Sequence, residues 1–178
     1  MRDLGGLQVA DVPKHGYLMC AGDDADGSGL VIDGLVREYY LGASGVEHTR
    51  AFSLPGDPFG SLSDALQARR SAVFVRAEAP SRVIFISWVR VSLLAQKSLA
   101  WERFAAALIR DLYLRKSQRE YELLSLDAME RYQSLLVRQP ELEQKVPAVL
   151  LASYLGITNV HLSRLRRRLR KERRFKER

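Results

Sequence analysis

Cysteine is almost absent from the chain, since Cys20 is the only one among 178 residues. A single thiol excludes an internal disulfide, and it cannot supply a four-cysteine iron–sulfur cluster or a zinc site built on cysteines. No run approaches the ~18 apolar residues that a membrane helix needs. The first residues also lack the basic start and apolar stretch of a signal peptide. We therefore expect a cytoplasmic protein without a membrane partner.

Histidine is scarce as well, and His15, His48 and His161 show no metal-ligand spacing. The acidic segment DADGSG at 24–29 resembles only part of a calcium loop, because it lacks the closing glutamate and has no preceding helix. The sequence therefore predicts no metal site.

Positive charge is concentrated at the C-terminal end. Residues 161–178 contain eight Arg and two Lys against two Glu, a net charge of +8. Because the whole chain carries +7, the remainder carries −1. This asymmetry indicates a polyanionic partner for the C-terminal segment only.

The first half of the chain, to about residue 87, has the pattern of β-structure. Segments rich in Val, Ile, Phe and Tyr alternate with turn clusters that contain Gly, Pro and Asp. This pattern predicts an antiparallel barrel or roll rather than a βαβ sheet. The candidate strands are GYLMCA, GLVIDGLVREYYL, HTRAFSL, SAVFVRAEA and SRVIFIS.

Helical patterns follow, and together with the β half they predict an α+β protein. A short helix is predicted at 88–96, and a long one at 98–124 contains no Gly or Pro. The apolar stripe of the long helix could pack on the β domain of its own chain or on the same helix of a second chain, and we favour the second. Its predicted dimer-interface residues are Trp101, Phe104, Ala105, Leu108, Ile109 and Leu112.

The last helices resemble a helix-turn-helix. The segment DAME at 127–130 predicts a capping box for a helix that ends before Pro140, and Pro147 fits the first turn of another helix. Gly156 permits the positive φ of a tight turn, and Ala152 is small where two helices must approach closely. Apolar residues occupy the packing positions, namely Leu151, Leu155, Ile157, Leu162 and Leu165.

The helix after Gly156 has two unlike sides. At about 100° per residue, Thr158, Leu162, Leu165 and Leu169 share the predicted core side. Arg164 lies opposite and is the best candidate to read a guanine, while Val160 could contact a thymine methyl group. Thr158, His161 and later arginines are expected to hold phosphates. The predicted DNA-binding residues are Thr158, Asn159, Val160, His161, Ser163, Arg164, Arg167 and Lys171. From Glu172 onward we expect a disordered tail.

This arrangement resembles the catabolite-activator and fumarate-nitrate regulator (Crp/Fnr) family of bacterial transcription factors. The resemblance is carried by PGDPFG at 55–60, RSAVFVRA at 70–77, AMERYQSLLVRQPEL at 128–142 and LASYLGITNVHLSRLRRRL at 151–169. It implies a β-roll like a cyclic-nucleotide-binding domain at 1–97, a dimerisation helix at 98–124 and a DNA-binding domain at 125–178. Relative to the family, the N-terminal helix and the C-terminal β wing are expected to be reduced or absent.

The family's ligand segment is only partly present. The resemblance implies ligand-binding roles for Gly60, Ser61, Arg70 and Ser71, but Ser61 stands where nucleotide-binding members have a glutamate for the ribose hydroxyl. The loop from Gly60 to Arg70 is also one residue short. We therefore expect no cyclic AMP cofactor, and either another anionic ligand or none. Arg70 could equally form a salt bridge with a carboxylate.

The resulting prediction is a non-enzymatic homodimeric transcription regulator that binds a near-palindromic DNA duplex. The resemblance allows control by a small ligand in the β-roll. It also implies RNA polymerase as a further partner. One alternative is a small-molecule-binding barrel, such as a cupin-like metalloenzyme, although the β half lacks clustered His and carboxylates. A second is an interaction module whose basic C-terminus binds RNA or acidic partners nonspecifically.

Overall fold

The fold was analysed in a computed structural model that describes residues 2–3 and 7–176. The chain forms two compact units, Met1–Tyr113 and Leu114–Arg178. The division falls inside the longest helix, which therefore contributes residues to both units.

The first unit is built from two antiparallel sheets. The five-stranded sheet has the order β1-β2-β9-β4-β7, and the four-stranded sheet has the order β3-β8-β5-β6. This topology confirms the predicted antiparallel roll. The strands are β1 (Arg2–Asp3), β2 (Gln8–Val12), β3 (Tyr17–Met19), β4 (Gly29–Asp33), β5 (Val36–Leu41), β6 (Glu47–Ser53), β7 (Pro58–Phe59), β8 (Phe74–Ala77) and β9 (Ser81–Phe85).

Alternate residues of the strands fill the core of the roll. Val73, Val75 and Ala77 are each no more than 1% exposed, while the residues between them are more exposed, which is the period-two pattern of a half-buried strand. The core cluster consists of Met19, Val31, Val36, Phe59, Val73, Val75 and Val83.

The long candidate strand at 29–41 is two strands. Gly34 interrupts it with a φ of +98°, and a Cβ there would lie 2.3 Å from Ser81 Oγ. Only glycine fits this left-handed turn without displacing β9. β2 and β7, and the short helix after β7, were not predicted from the sequence. β2 pairs with β9 over a separation of about 70 residues (Gln8↔Phe85 at one end), a non-local pairing that no local pattern reveals.

The helices of the chain are α1 (Leu62–Leu66), α2 (Trp88–Ala95), α3 (Leu99–Ser125), α4 (Ala128–Arg138), α5 (Pro140–Lys145), α6 (Ala148–Leu155) and α7 (Asn159–Lys176). The predicted capping box is present at the start of α4. Asp127 Oδ1 accepts hydrogen bonds from the backbone N–H groups of Met129 and Glu130 at 2.8 Å, and Glu130 Oε2 accepts one from Asp127 N at 2.8 Å.

Three details of the helical prediction require correction. Pro140 ends α4 as expected but also begins α5, because proline suits the first helical position. Thr158 was placed on the core side but is exposed and precedes α7. The predicted disorder from Glu172 onward is wrong as far as Lys176, since α7 continues to that residue and Arg168 pairs with Glu172 at 2.9 Å, four residues on. Residues 177–178 lie outside the described part of the chain.

Candidate nucleic-acid interface

The second unit buries the apolar residues that the helix-turn-helix pattern singled out. Leu151 and Leu162 are 0% exposed, and Leu155 is 1% exposed. Ala152 and Leu165 are buried as well, while Ile157 and Leu169 are half-buried. Burial of each leucine contributes about 1.5–3 kcal/mol. These contacts fix α7 against α6 and determine which side of α7 faces solvent.

Gly156 makes the turn between α6 and α7. Its φ of +69° is left-handed, and the N–H of Ile157 donates to Ala152 O at 3.0 Å across the turn. A Cβ at this position would meet Leu123 Cδ2 at 3.7 Å, an ordinary contact. The backbone conformation, rather than a lack of space, therefore favours glycine here.

Two arginines bind the carbonyl groups that α6 leaves unpaired at its C-terminal end. Arg119 donates from Nη2 to Tyr154 O, and its guanidinium lies 4.0 Å from the centroid of the Tyr154 ring. Arg131 Nε donates to Leu155 O at 3.0 Å. Cations at a helix C-terminus also stabilise its dipole. Burial outweighs these attractions at Arg119 and lowers the pKa of its guanidinium. Neither arginine was singled out from the sequence, because their partners lie 24–35 residues away.

Glu122 connects the C-terminal part of α3 to α4. Its carboxylate is 2% exposed and accepts hydrogen bonds from Arg138 Nη2 at 2.5 Å and from Ser134 Oγ at 2.7 Å. Removal of one member of such a buried pair leaves an uncompensated charge, which is strongly destabilising. The network therefore makes the last turns of α3 part of the second compact unit.

The exposed side of α7, together with the preceding Thr158, contains every predicted DNA-binding residue. Thr158 caps the helix by accepting a hydrogen bond from His161 N on its Oγ1 at 3.2 Å. Val160 is 63% exposed on the first turn of the helix. All eight side chains face solvent, namely those of Thr158, Asn159, Val160, His161, Ser163, Arg164, Arg167 and Lys171.

The basic residues of α7 differ in whether they have an ion-pair partner. Arg166 Nε donates to Glu143 Oε1 at 2.8 Å, and the Tyr132 hydroxyl donates to the same oxygen at 3.0 Å. The hydrogen bond to Glu143 raises the pKa of Arg166. By contrast, Arg164, Arg167 and Lys171 have no ion-pair partner among the described residues. Arg166 therefore fixes the helix, and the other three can accept an external anion.

The predicted ligand-binding residues of the β-roll are already engaged with the protein itself. Ser61 Oγ donates to Asp64 Oδ2 at 2.6 Å, and Gly60 N donates to Glu38 Oε1 at 2.9 Å. Ser71 Oγ donates to Val73 O at 2.9 Å. Arg70 is exposed and donates to Gly22 O at 3.4 Å. Among described residues Arg70 has no carboxylate partner, whereas the neighbouring Arg69 pairs with Asp64.

The predicted dimer-interface residues of α3 are unequally exposed. Ala105 is buried, Ile109 is 41% exposed, and Trp101, Phe104, Leu108 and Leu112 are half-buried. Large apolar side chains elsewhere on α3 are more exposed than these, namely Leu99, Tyr113, Leu114, Tyr121, Leu123 and Leu124. α3 therefore presents a wider apolar surface than the sequence pattern indicated. The dimer interface itself stays a prediction.

Within the described residues, no helix combines the length and apolar character required to cross a bilayer. The same residues contain no group of three or more His, Cys, Asp or Glu side chains arranged to hold a metal ion.

Comparison with known proteins gives matches in structure only. No protein-family model matches the chain. No curated protein matches it significantly. Among solved structures, FixK2 from Bradyrhizobium japonicum has a TM-score of 0.80 at 21% sequence identity. The match covers 93% of this chain and 85% of the FixK2 chain.

Two further solved structures agree with this match. The c-di-GMP-responsive global regulator CLP of Xanthomonas campestris has a TM-score of 0.73 at 21% identity, covering 95% of this chain and 89% of its own. A protein from Eubacterium rectale described as a transcriptional regulator of the Crp/Fnr family has a TM-score of 0.72 at 20% identity. The match covers 93% of this chain and 79% of the Eubacterium rectale chain. The chain therefore has the fold of Crp/Fnr regulators.

Proposed function

We propose that this protein is a sequence-specific DNA-binding transcription regulator of the Crp/Fnr family, without catalytic activity. The observation that carries the proposal is the orientation of α7. Its leucines are buried against α6, and its unpaired cations face solvent in a fold shared with transcription regulators. Such a regulator acts where the DNA is, which is the cytoplasm of a bacterial cell.

The first turns of α7 would enter the major groove. The N-terminal residues of a recognition helix normally reach the base edges. Arg164 can form two hydrogen bonds to O6 and N7 of a guanine, Asn159 can do the same for an adenine, and Val160 can contact a thymine methyl group. At about 1.5 Å per residue, the 18 residues of α7 span about 27 Å, roughly twice the ~12 Å width of the major groove, so only part of the helix would contact base edges.

The remaining contacts would be to phosphates. Thr158, His161 and Ser163 lie near the start of α7, and Arg167 and Lys171 lie one and two turns beyond Arg164. Phosphate contacts fix the position of the protein on the duplex, and each one that is neutralised contributes to the salt dependence of binding.

Two copies of the chain would bind together. The exposed apolar residues of α3 form an unfavourable surface for an isolated helix in water, and pairing with a second α3 would cover them. A twofold-symmetric dimer then requires an inverted repeat, with its two half-sites about one turn of DNA apart.

The dimer can be tested by analytical ultracentrifugation. We expect a dimer for the wild type and a shift toward monomer for Ile109→Asp, which places a charge on the proposed contact. Val46→Asp is the control, because Val46 is 52% exposed in the loop between β5 and β6 and is outside α3. A monomeric wild type at tens of micromolar would contradict the proposal.

DNA binding is tested by titrating a preferred duplex and a random duplex at about 50 and 200 mM salt. We expect tighter binding to the preferred duplex at both concentrations. If the two affinities are equal and fall together with salt, the basic segment is a nonspecific polyanion-binding surface and the regulator proposal fails. Contact with RNA polymerase would apply if the protein is an activator, which transcription from a template bearing the site would detect.

A further inference from the structure

The strongest feature outside the α7 surface is a buried carboxylate in the β-roll. Asp64 is 6% exposed, and three donors converge on it. Its Oδ2 accepts from Ser61 Oγ at 2.6 Å and from the backbone N–H of Ala72 at 3.2 Å. Its Oδ1 accepts from Arg69 Nη2 at 3.0 Å. A hydroxyl, a backbone amide and a guanidinium form a typical donor set for a carboxylate or phosphate group.

Asp64 does not act as an ordinary helix cap. It is the third residue of the five-residue α1, and its donors come from Ser61 and from the segment after the helix. The hydrogen bond from Ser61, ahead of the opposing effect of burial, lowers the pKa of the Asp64 carboxyl. The donor set therefore favours the charged form of this side chain.

A second buried carboxylate, that of Glu38, binds the backbone close to Asp64 in the sequence. Glu38 is 4% exposed, its Oε1 accepts from Gly60 N at 2.9 Å, and its Oε2 lies 3.1 Å from Arg50 Nε. Burial disfavours the charge on Arg50, but Glu38, Tyr40 and Asp64 together outweigh this effect, and the pKa of Arg50 rises. Arg50 also donates to Gly60 O at 3.3 Å. Two carboxylates are thus balanced by two guanidinium groups, those of Arg50 and Arg69.

The backbone at Gly60 leaves no space for a side chain. Its φ is +111°, and a Cβ would lie 2.5 Å from Ser28 Oγ and 2.8 Å from Ser28 Cα. The N–H and C=O of Gly60 are both engaged, by Glu38 and Arg50 respectively. Both polar backbone groups of Gly60 are therefore satisfied by groups of the same chain.

From this geometry we propose that Asp64 is the resident anion of the β-roll, bound by Ser61, Arg69 and the Ala72 amide in place of a diffusible carboxylate or phosphate. An anion from solution would have to displace a carboxylate that is tethered within hydrogen-bonding distance of its donors, so it competes with a very high effective concentration. The β-roll is then stably folded without a small anionic effector. If the proposed function holds, DNA binding does not need such an effector.

The test is chemical rescue measured by thermal unfolding, and it involves no DNA. Asp64→Gly removes the resident carboxylate and leaves its donors, so we expect a lower Tm that acetate or formate restores. With an affinity in the 10 mM range, 100 mM acetate should raise the Tm by about 2–5 °C relative to chloride at equal ionic strength. Asp64→Gly combined with Ser61→Ala lacks one donor and should respond less to acetate.

The wild type provides the complementary measurement. Because its site is filled, up to 10 mM phosphate, acetate or cyclic AMP should shift its Tm by less than about 1 °C. Asp64→Asn keeps the shape of the side chain without its charge, so it should melt below the wild type and ignore acetate. A saturable stabilisation of the wild type by any of these anions, retained when Arg164, Arg167 and Lys171 on α7 are replaced with alanine, would overturn the proposal. An Asp64→Gly protein that responds to acetate no more than to chloride would also overturn it. If Asp64→Gly does not fold, the wild-type and Asp64→Asn measurements decide.

Discussion

Arg164 and Arg166 are two residues apart on α7. Arg166 pairs with Glu143, and the proposed function gives Arg164 a contact with DNA, so substituting each with alanine separates the two roles. Arg166 pairs with Glu143 at 2.8 Å, with the two side chains 24% and 25% exposed. Partial exposure reduces the value of this charged hydrogen bond to about 1–2 kcal/mol. Arg166→Ala should therefore lower the Tm by about 2–4 °C for each kcal/mol lost.

Arg164 makes no such pair within the described residues, so its loss should leave the Tm unchanged. If Arg164 reads a guanine, Arg164→Ala should cost about 1–3 kcal/mol of affinity for the preferred site, roughly a 5- to 150-fold increase in Kd, and should relax the preference at one base pair. Arg167→Ala is the matched control for a phosphate contact, and it should reduce the slope of log affinity against log salt by about 0.9.

The assay combines calorimetry with fluorescence anisotropy on one labelled duplex over a range of salt concentrations. Arg166→Ala should leave the salt slope unchanged, because its guanidinium is already neutralised by Glu143. A reduced salt slope for Arg166→Ala without a lower Tm would refute the assignment and show that Arg166 contacts phosphate.

Three further predictions concern stability. Leu162→Ala should destabilise the protein by about 2–5 kcal/mol in denaturant titrations, because Leu162 is fully buried between α7 and its neighbours; a loss below 1 kcal/mol would mean that α7 is not anchored there. Gly156→Ala should lower the free energy of unfolding by about 1–2 kcal/mol, because a φ of +69° strains any residue with a Cβ although the space for one is sufficient. An unchanged free energy in the same titration would contradict the left-handed turn. The pKa of Asp64 is lowered from 3.8 in the folded state, so its contribution to stability is complete above the unfolded pKa and is lost as pH falls through the lower folded pKa. The stability difference between wild type and Asp64→Asn should therefore be constant near neutral pH and shrink below about pH 4, whereas a constant difference down to pH 2 would argue against the lowered pKa.

Local patterns were sufficient to predict the helix-turn-helix. Leucines at helical spacing, a glycine at the turn and an aspartate–glutamate capping box each act within a few residues, so the sequence reveals them directly. The same local reasoning failed for the C-terminal end of α7. A run of arginines was interpreted as a disordered tail, although Arg168 and Glu172 stand at the four-residue spacing that stabilises a helix.

Contacts between residues far apart in the sequence could not be predicted from it. Nothing near Arg166 indicates that Glu143 will neutralise it, because α5 is brought to α7 only by packing within the unit. Likewise, the family resemblance directed attention to Arg70, whereas the structure pairs Arg69 with the buried Asp64. Both arginines are exposed, and a shift of one residue decides which of them reaches the buried carboxylate, so spacing alone cannot make that choice when the loop is one residue short.

Selection of bound duplexes from a random DNA pool tests the central claim most directly. The account predicts enrichment of an inverted repeat whose half-sites are centred about 10 base pairs, or a multiple of that, apart. It also predicts that Arg164→Ala loses the preference at a symmetric pair of positions in that repeat, while Val46→Asp retains it. A pool that remains random after repeated selection, with binding that only weakens as salt rises, would contradict the assignment of α7 as a recognition helix.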